Sequence, residues 1–144
     1  MRLDPGEARA LLRSAAVARL ATVRSDGAPH VVPVCFAIAD GIVYTAVDAK
    51  PKRTPDLARL ANIASEPRVA LLADRYDDDW TQLWWVRVDG DARVVTDPGE
   101  RSRALDALAT AYTQYAEARP QGAVIAIEPR RISGWRARRE RRPI

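Results

Sequence analysis

The residues whose types and spacing are best suited to chemistry are Lys50-Pro51-Lys52-Arg53-Thr54. Both lysines of the chain fall here, although arginine is plentiful elsewhere. A strand pattern runs into the stretch and a helix pattern leaves it at Pro55. Cationic side chains, a hydroxyl and the unpaired N–H groups of a helix start then converge on one point, which is an anion cradle. Each charge-assisted bond to a phosphate contributes about 1.5–3 kcal/mol, so three together would suffice to anchor a phosphorylated cofactor at micromolar strength, and the favoured reading is the phosphate of a flavin-type cofactor. A solvated turn is the competing reading of the same charges.

The rest of the inventory holds little that reacts by itself. His30 is the one histidine, and it follows Pro29 in a strand pattern, where a structural or interfacial role is expected. With no second histidine and no cysteine cluster, a catalytic metal is not expected. A serine triad lacks its histidine partner and the Gly-x-Ser-x-Gly elbow is missing. Cys35, between Val34 and Phe36, reads as a packing residue, and Asp77-Asp78-Asp79 as a solvated loop. No protein residue is therefore assigned as catalytic. An enzyme built this way borrows its reactivity from a cofactor.

Two further features bear on a site. Pro33 interrupts the strand Val31-Val32-Pro33-Val34, which implies a sheet edge or a bulge there. Backbone groups freed in this way suit the donors and acceptors along a flavin pyrimidine, and a proline guarding the edge against aggregation suits the sequence equally. Trp80, Trp84 and Trp85 fall close together. On a strand Trp84 and Trp85 point to opposite faces, so one packs inside and the other meets a second subunit, a cofactor ring or both.

The elements that position these residues follow from periodicity and turn chemistry. Asp4-Pro5 opens a short helix through Leu12. Strands are expected over Ala16 to Arg24, Pro29 to Ala39 and Ile42 to Val47, joined by Asp26-Gly27 and Asp40-Gly41 turns as an antiparallel meander. A helix from Pro55 to about Ser65 carries Leu57, Leu60, Ala61 and Ala64 at helical spacing. Strands follow at Arg68 to Ala73 and at Leu83 to Val95, the latter bent at Asp89-Gly90, with a polar loop between. One long helix from Asp97 to about Tyr115 and a last strand from Ala123 to about Trp135 complete the chain. The expectation is a single domain over residues 1–144, mainly β within the α+β class: a six-stranded antiparallel barrel with flanking helices. The alternation and Gly-rich fingerprint of a doubly wound nucleotide-binding fold are missing.

The order and spacing of these segments resemble the pyridoxamine-5′-phosphate-oxidase-like split β-barrel superfamily. Within it they are most similar to the flavin/deazaflavin oxidoreductases of the B group, which depend on coenzyme F420. The resemblance rests on Ala18-Arg19-Leu20-Ala21-Thr22-Val23, Pro29-His30-Val31-Val32-Pro33-Val34 and Lys50-Pro51-Lys52-Arg53-Thr54. It continues through Leu57-Ala58-Arg59-Leu60-Ala61-Asn62-Ile63, Glu66-Pro67-Arg68-Val69-Ala70-Leu71 and Leu83-Trp84-Trp85-Val86-Arg87. It implies a homodimer with cofactor sites between the subunits. Lys50, Lys52, Arg53 and Thr54 would bind the cofactor phosphate, and the backbone of Val32, Pro33 and Val34 with Thr45 would hold the ring. Trp80 or Trp85 of a partner would line the site. The implied reaction is hydride transfer between the deazaflavin and an unsaturated or tetrapyrrole-like small molecule. FMN in the same fold, or flavin or haem binding without turnover, are the alternatives. Arg131-Ile132-Ser133-Gly134-Trp135-Arg136 matches the tail of the oxidase itself only in part, so pyridoxamine phosphate is not the expected substrate.

Composition sets the remaining bounds. A formal charge of +4, from 23 basic and 19 acidic residues, is mild, and the basic run Arg136 to Arg142 reads as a solvated terminus rather than a nucleic-acid site. No apolar run is long enough to cross a bilayer and no signal peptide is evident, so a cytoplasmic location without membrane partners is expected.

Overall fold

The computed structural model describes residues 1–47 and 55–138, in which four consecutive strands follow the first helix and the later strands are separated by helices or a short turn. The elements are α1 (Pro5–Ser14), β1 (Ala18–Val23), β2 (Pro29–Val34), β3 (Ala37–Ala39), β4 (Ile42–Ala46) and α2 (Pro55–Ser65). They continue as β5 (Arg68–Arg75), a 3-10 turn (Trp80–Gln82), β6 (Trp84–Val94), α3 (Pro98–Ala111), α4 (Thr113–Glu117) and β7 (Val124–Arg136).

All strand pairings are antiparallel, and the sheet order is β2-β1-β5-β6-β7-β4-β3. There are seven strands rather than the expected six because the long return strand from Pro29 divides at Cys35-Phe36. Its first part pairs with β1 and its second with β4, so the expected meander does not form. Strands β2 and β3 are neighbours in sequence yet lie on opposite edges of the sheet. The sheet therefore curls until its edges meet at that corner, giving a half-open barrel.

The corner is held from outside. Phe36 is 4% exposed, and its N–H donates to the Tyr112 hydroxyl at 2.9 Å instead of to a strand. The Tyr112 hydroxyl in turn lies 2.8 Å from the carbonyl oxygen of Ala16 and 2.9 Å from that of Phe36. Tyr112 is also where the expected single helix breaks into α3 and α4, with φ −130° and ψ 119°.

Local chemistry fixes the other ends. The Asp4 carboxylate accepts the Glu7 N–H at 2.9 Å to cap α1, and Asp97 accepts the Glu100 N–H at 2.8 Å to cap α3. Gly27 (φ 87°) and Gly41 (φ 76°) supply the left-handed positions that close the first and second hairpins. Strand β6 shifts register at Asp89/Gly90, where the bend was expected. A Cβ on Gly90 would sit 2.5 Å from the Glu128 carbonyl oxygen, so glycine permits the close approach of β7.

Two apolar clusters result. Leu20, Leu71, Val86, Val88, Ile125 and Ile127 fill the barrel, closed by Leu12 of α1 and Ile63 of α2. Tyr44, Ala46, Val124 and Ala126 face the other way, under Ala104 and Leu108 of α3. The run Val124 to Ile127 is buried on both faces, which is why it reads as unbroken hydrophobicity.

One ionic knot pins α3 to the sheet. Arg93 of β6 donates to both Glu100 oxygens, at 2.6 and 2.8 Å, and the Tyr44 hydroxyl donates to Glu100 Oε2 at 2.8 Å. The Arg93 bonds, helped by Tyr44, hold the Glu100 carboxyl down at about 2; burial and the carboxylate push Tyr44 up to about 12. A depressed carboxylate stabilises the fold above its ordinary value of 4.5 and ceases to do so as pH falls toward 2. Replacing Glu100 by glutamine is expected to cost about 1–3 kcal/mol at neutral pH. In urea melts the gap between wild type and variant should close as pH falls from 4.5 toward 2; a constant gap would exclude this carboxylate as its source.

Candidate functional site

The exit of β4 carries the first feature of the site. Val43 and Val47 belong to the barrel core while Tyr44 and Ala46 face α3, so Thr45 points into the barrel. It is 1% exposed, and its Oγ1 is buried without a hydrogen-bond partner among the described residues. Buried hydroxyls are normally satisfied, so folding leaves one polar demand unmet here. The chain then passes Val47, whose N–H donates to the Ala123 carbonyl at 2.8 Å. Lys50, Lys52, Arg53 and Thr54 lie outside the described residues.

Helix α2 resumes the chain at Pro55 and packs on β1 and β6. Its buried side differs from the one periodicity suggests. Ala61 and Ala64 are exposed, whereas Arg59, Asn62 and Ile63 are buried at the i, i+3, i+4 spacing of one face. The Asn62 amide donates to Thr22 Oγ1 at 3.0 Å inside the barrel. The helix therefore buries a guanidinium and an amide, not alanine methyls, and the amide reaches Thr22 of β1. Sequence reasoning missed this face; its only signal was polar residues in register with Ile63.

Strand β2 is an edge, as Pro33 requires, and no bulge accompanies it. The Arg24 N–H donates to the Ala28 carbonyl at 2.9 Å, and this fixes the alternation of hydrogen-bonded pairs along the hairpin. Val32 and Val34, opposite Leu20 and Ala18, spend their backbone groups on β1 and turn their side chains inward. The backbone groups of Pro29, Val31 and Pro33 face the free edge. Two of these residues are prolines, so Val31 offers the single outward N–H of β2, set among carbonyl oxygens. Next to it His30, half-buried opposite Thr22, has its Nδ1 buried with no partner.

The outer face of the sheet carries the indoles. Trp84 packs against the barrel core, and Trp85 points the other way, so the two separate as strand alternation demands. Trp85 is the cross-strand neighbour of Trp135, which sequence reasoning did not single out because its register with β6 is not legible from the chain. The Arg87 guanidinium lies 5.8 Å from the Trp85 ring centroid, within reach of a cation–π contact. Leu72, Asp74, Trp85 and Arg87 line an open cleft of about 420 Å³. On the same face Val31 is 60% exposed, Leu72 40% and Trp135 38%, an apolar area that nothing among the described residues covers. Under Trp85 and Trp135, Ser133 Oγ is buried without a partner.

Trp80 stands apart on the 3-10 turn, 68% exposed. The acidic loop before it is built rather than merely solvated. Asp77 accepts the Asp79 N–H at 2.8 Å and pairs with Arg75 at 3.1 Å. Asp79 accepts both the N–H and the hydroxyl of Thr81, which holds its carboxyl below the usual range.

These residues fit an anionic, ring-bearing cofactor in two respects. The Thr45 hydroxyl is an unmet demand at the strand end that precedes the basic loop, and the β2 edge presents one donor flanked by acceptors. Among the described residues no three His, Cys, Asp or Glu side chains gather as a metal site. No helix among them is long and apolar enough to cross a membrane.

Comparison with known proteins locates the fold. The profile of a family described as pyridoxamine 5′-phosphate oxidase matches residues 5–136. No curated protein matches the chain. Among solved structures, a conserved hypothetical protein of Mycobacterium tuberculosis superposes with a TM-score of 0.77 at 23% identity, over 93% of this chain and 85% of that one. An FAD-binding protein of Mycobacterium smegmatis gives 0.69 at 27% identity, over 96% and 100% of the two chains. A heme-binding protein of the same organism gives 0.74 at 21% identity, over 91% of this chain and 53% of its own.

The orphaned hydroxyl makes a prediction. Thr45→Val keeps the shape and removes the unmet group, so the ligand-free protein should gain about 1 kcal/mol in denaturant melts. A loss of stability would mean that the hydroxyl already has a partner.

Proposed function

We propose that this chain, which belongs to the pyridoxamine 5′-phosphate oxidase family, is an oxidoreductase that works through a flavin-class cofactor, specifically the deazaflavin coenzyme F420. The observation that carries the reading is the family match across nearly the whole chain, joined to the unmet Thr45 hydroxyl directly before the basic loop. The likeness to an FAD-binding protein at 27% identity supports a flavin-type ring and phosphate. The preference for F420 rests on the resemblance of the segment order to the deazaflavin-dependent B group; Lys50, Lys52 and Arg53 are basic enough for FMN and equally for the longer acidic tail of F420.

In this reading Lys50, Lys52, Arg53 and Thr54 hold the cofactor's phosphate by charge-assisted bonds. The Thr45 hydroxyl and the Val31 N–H, with the carbonyls of Pro29 and Pro33, orient its ring. When bound, the cofactor supplies the hydride that the side chains cannot. The protein's share is orientation and exclusion of water, and no residue is asked to act as acid or base.

A second copy of the chain completes the site. The outer face with Val31, Leu72, Trp85 and Trp135 is too apolar to remain wet, and Trp80 is free to reach across to a neighbour. The acceptor is a small unsaturated or tetrapyrrole-like molecule taken in at that junction.

Adding F420, FMN, FAD and haem in turn to the purified protein tests the cofactor assignment by absorbance and titration. Lys52→Ala should weaken F420 binding more than about tenfold, the loss of one charged bond, and leave the dimer intact by sedimentation. An unchanged dissociation constant would remove Lys52 from the cradle. Tight FMN or FAD binding without F420 binding would move the protein to the flavin branch, and a stoichiometric Soret band to haem.

A further inference from the structure

We infer that the groove between α1, β3 and α3 binds a small amphiphilic monocarboxylate, at a site separate from the proposed cofactor surface. The groove holds about 430 Å³ between Arg13 and Ser14 at the end of α1, Ile38 of β3 and Ala107 and Ala111 of α3. That volume falls in the range of small-molecule sites. It stays open because its walls are largely alanine, at 15, 16, 37, 107 and 111. Phe36 and Tyr112 form its floor at the barrel corner.

The polar inventory of the groove is one-sided. The Ser14 hydroxyl donates to the Leu11 carbonyl at 2.6 Å and Thr110 to the Asp106 carbonyl at 2.9 Å. The Tyr112 hydroxyl proton is taken by the carbonyls of Ala16 and Phe36. The side chain left to donate to a ligand is Arg13, and no carboxylate lines the groove. Arg13 and Ile38 also border a separate recess of about 30 Å³, which Arg9 lines as well. The two arginines stand one helical turn apart on one face of α1.

Neither Arg9 nor Arg13 makes an ion pair among the described residues, whereas Arg19, Arg75, Arg87 and Arg93 each face a carboxylate. Methyl-lined walls take a hydrocarbon or aryl body. The Arg13 guanidinium at one end takes a carboxylate, which its planar fork binds in bidentate fashion, with Arg9 one turn away along α1. An uncharged molecule would leave the cations unmatched, and a free inorganic anion would leave the apolar walls wet.

Calorimetric titration with decanoate, held below its micelle concentration, is the test. Saturable binding of one decanoate per chain is expected. Arg13→Gln and the groove-filling Ala107→Leu should each weaken it about tenfold or more, as should methylating the carboxylate, since each removes a charged contact or the space itself. Ala111→Leu, at an exposed helix position, fills the same space should Ala107→Leu perturb folding. Absence of saturable binding overturns the proposal. So does binding that survives both leucine variants, which would place decanoate elsewhere, or equal binding of the methyl ester, which would be apolar adsorption only.

Discussion

The molecule is governed by a crossing. Within Cys35-Phe36 the chain leaves one edge of the sheet and joins the other, and every strand between must curl to allow it. A flat sheet of this order would hold β2 and β3 apart by the full width of the strands between them, which two residues cannot span. The corner forfeits ladder hydrogen bonds, and the Tyr112 hydroxyl replaces them on Phe36 while also gripping Ala16. Curling turns Val32 and Val34 inward and leaves β2 as a free edge. It also sends Trp85 and Trp135 to the outer face of the sheet.

The barrel is not packed like an ordinary core at the end that α2 covers. Thr22, Thr45, Arg59 and Asn62 are all buried, and Thr45 Oγ1 and His30 Nδ1 have no partners. A sequence selected for stability alone would fill such positions with valine or leucine. A buried polar group left unmet by the described residues is a candidate for bonding to a ligand. The contrast with the α3 side is instructive. There the Tyr44–Glu100–Arg93 knot satisfies every charge, and its role is to fasten a helix.

Much of this was legible in the chain because its signals are local. Asp4-Pro5 and Asp97-Pro98 mark helix starts, Asp26-Gly27 and Asp40-Gly41 mark hairpins, and Pro33 marks an edge; each acts through its own backbone. The opposite facing of Trp84 and Trp85 followed from strand geometry alone. What escaped depends on partners distant in sequence. The break at Cys35-Phe36 is imposed by Tyr112, and the pairing of Trp85 with Trp135 by a register that no local pattern encodes. On α2 Leu60 packs on the core as its spacing suggests, but Ala61 and Ala64 are exposed while Arg59 and Asn62 are buried, the latter sheltered by its bond to Thr22, a partner distant in sequence. Of the candidate site, Thr45 is buried near the end of β4 and Trp85 lies on the outer face, Val32 and Val34 spend their backbone groups on β1 and leave Val31 as the edge donor, and the basic loop itself lies outside the described residues.

The central claim is that an anionic redox cofactor is gripped where β4 hands over to α2. Hydrogen–deuterium exchange of the protein with and without F420 addresses it directly, since backbone protection reports where the ligand orders the chain. The account predicts new protection over the end of β4, the basic loop and the first turns of α2, together with the Val31 amide on β2. Protection confined to other segments, or none at saturating cofactor, would contradict it.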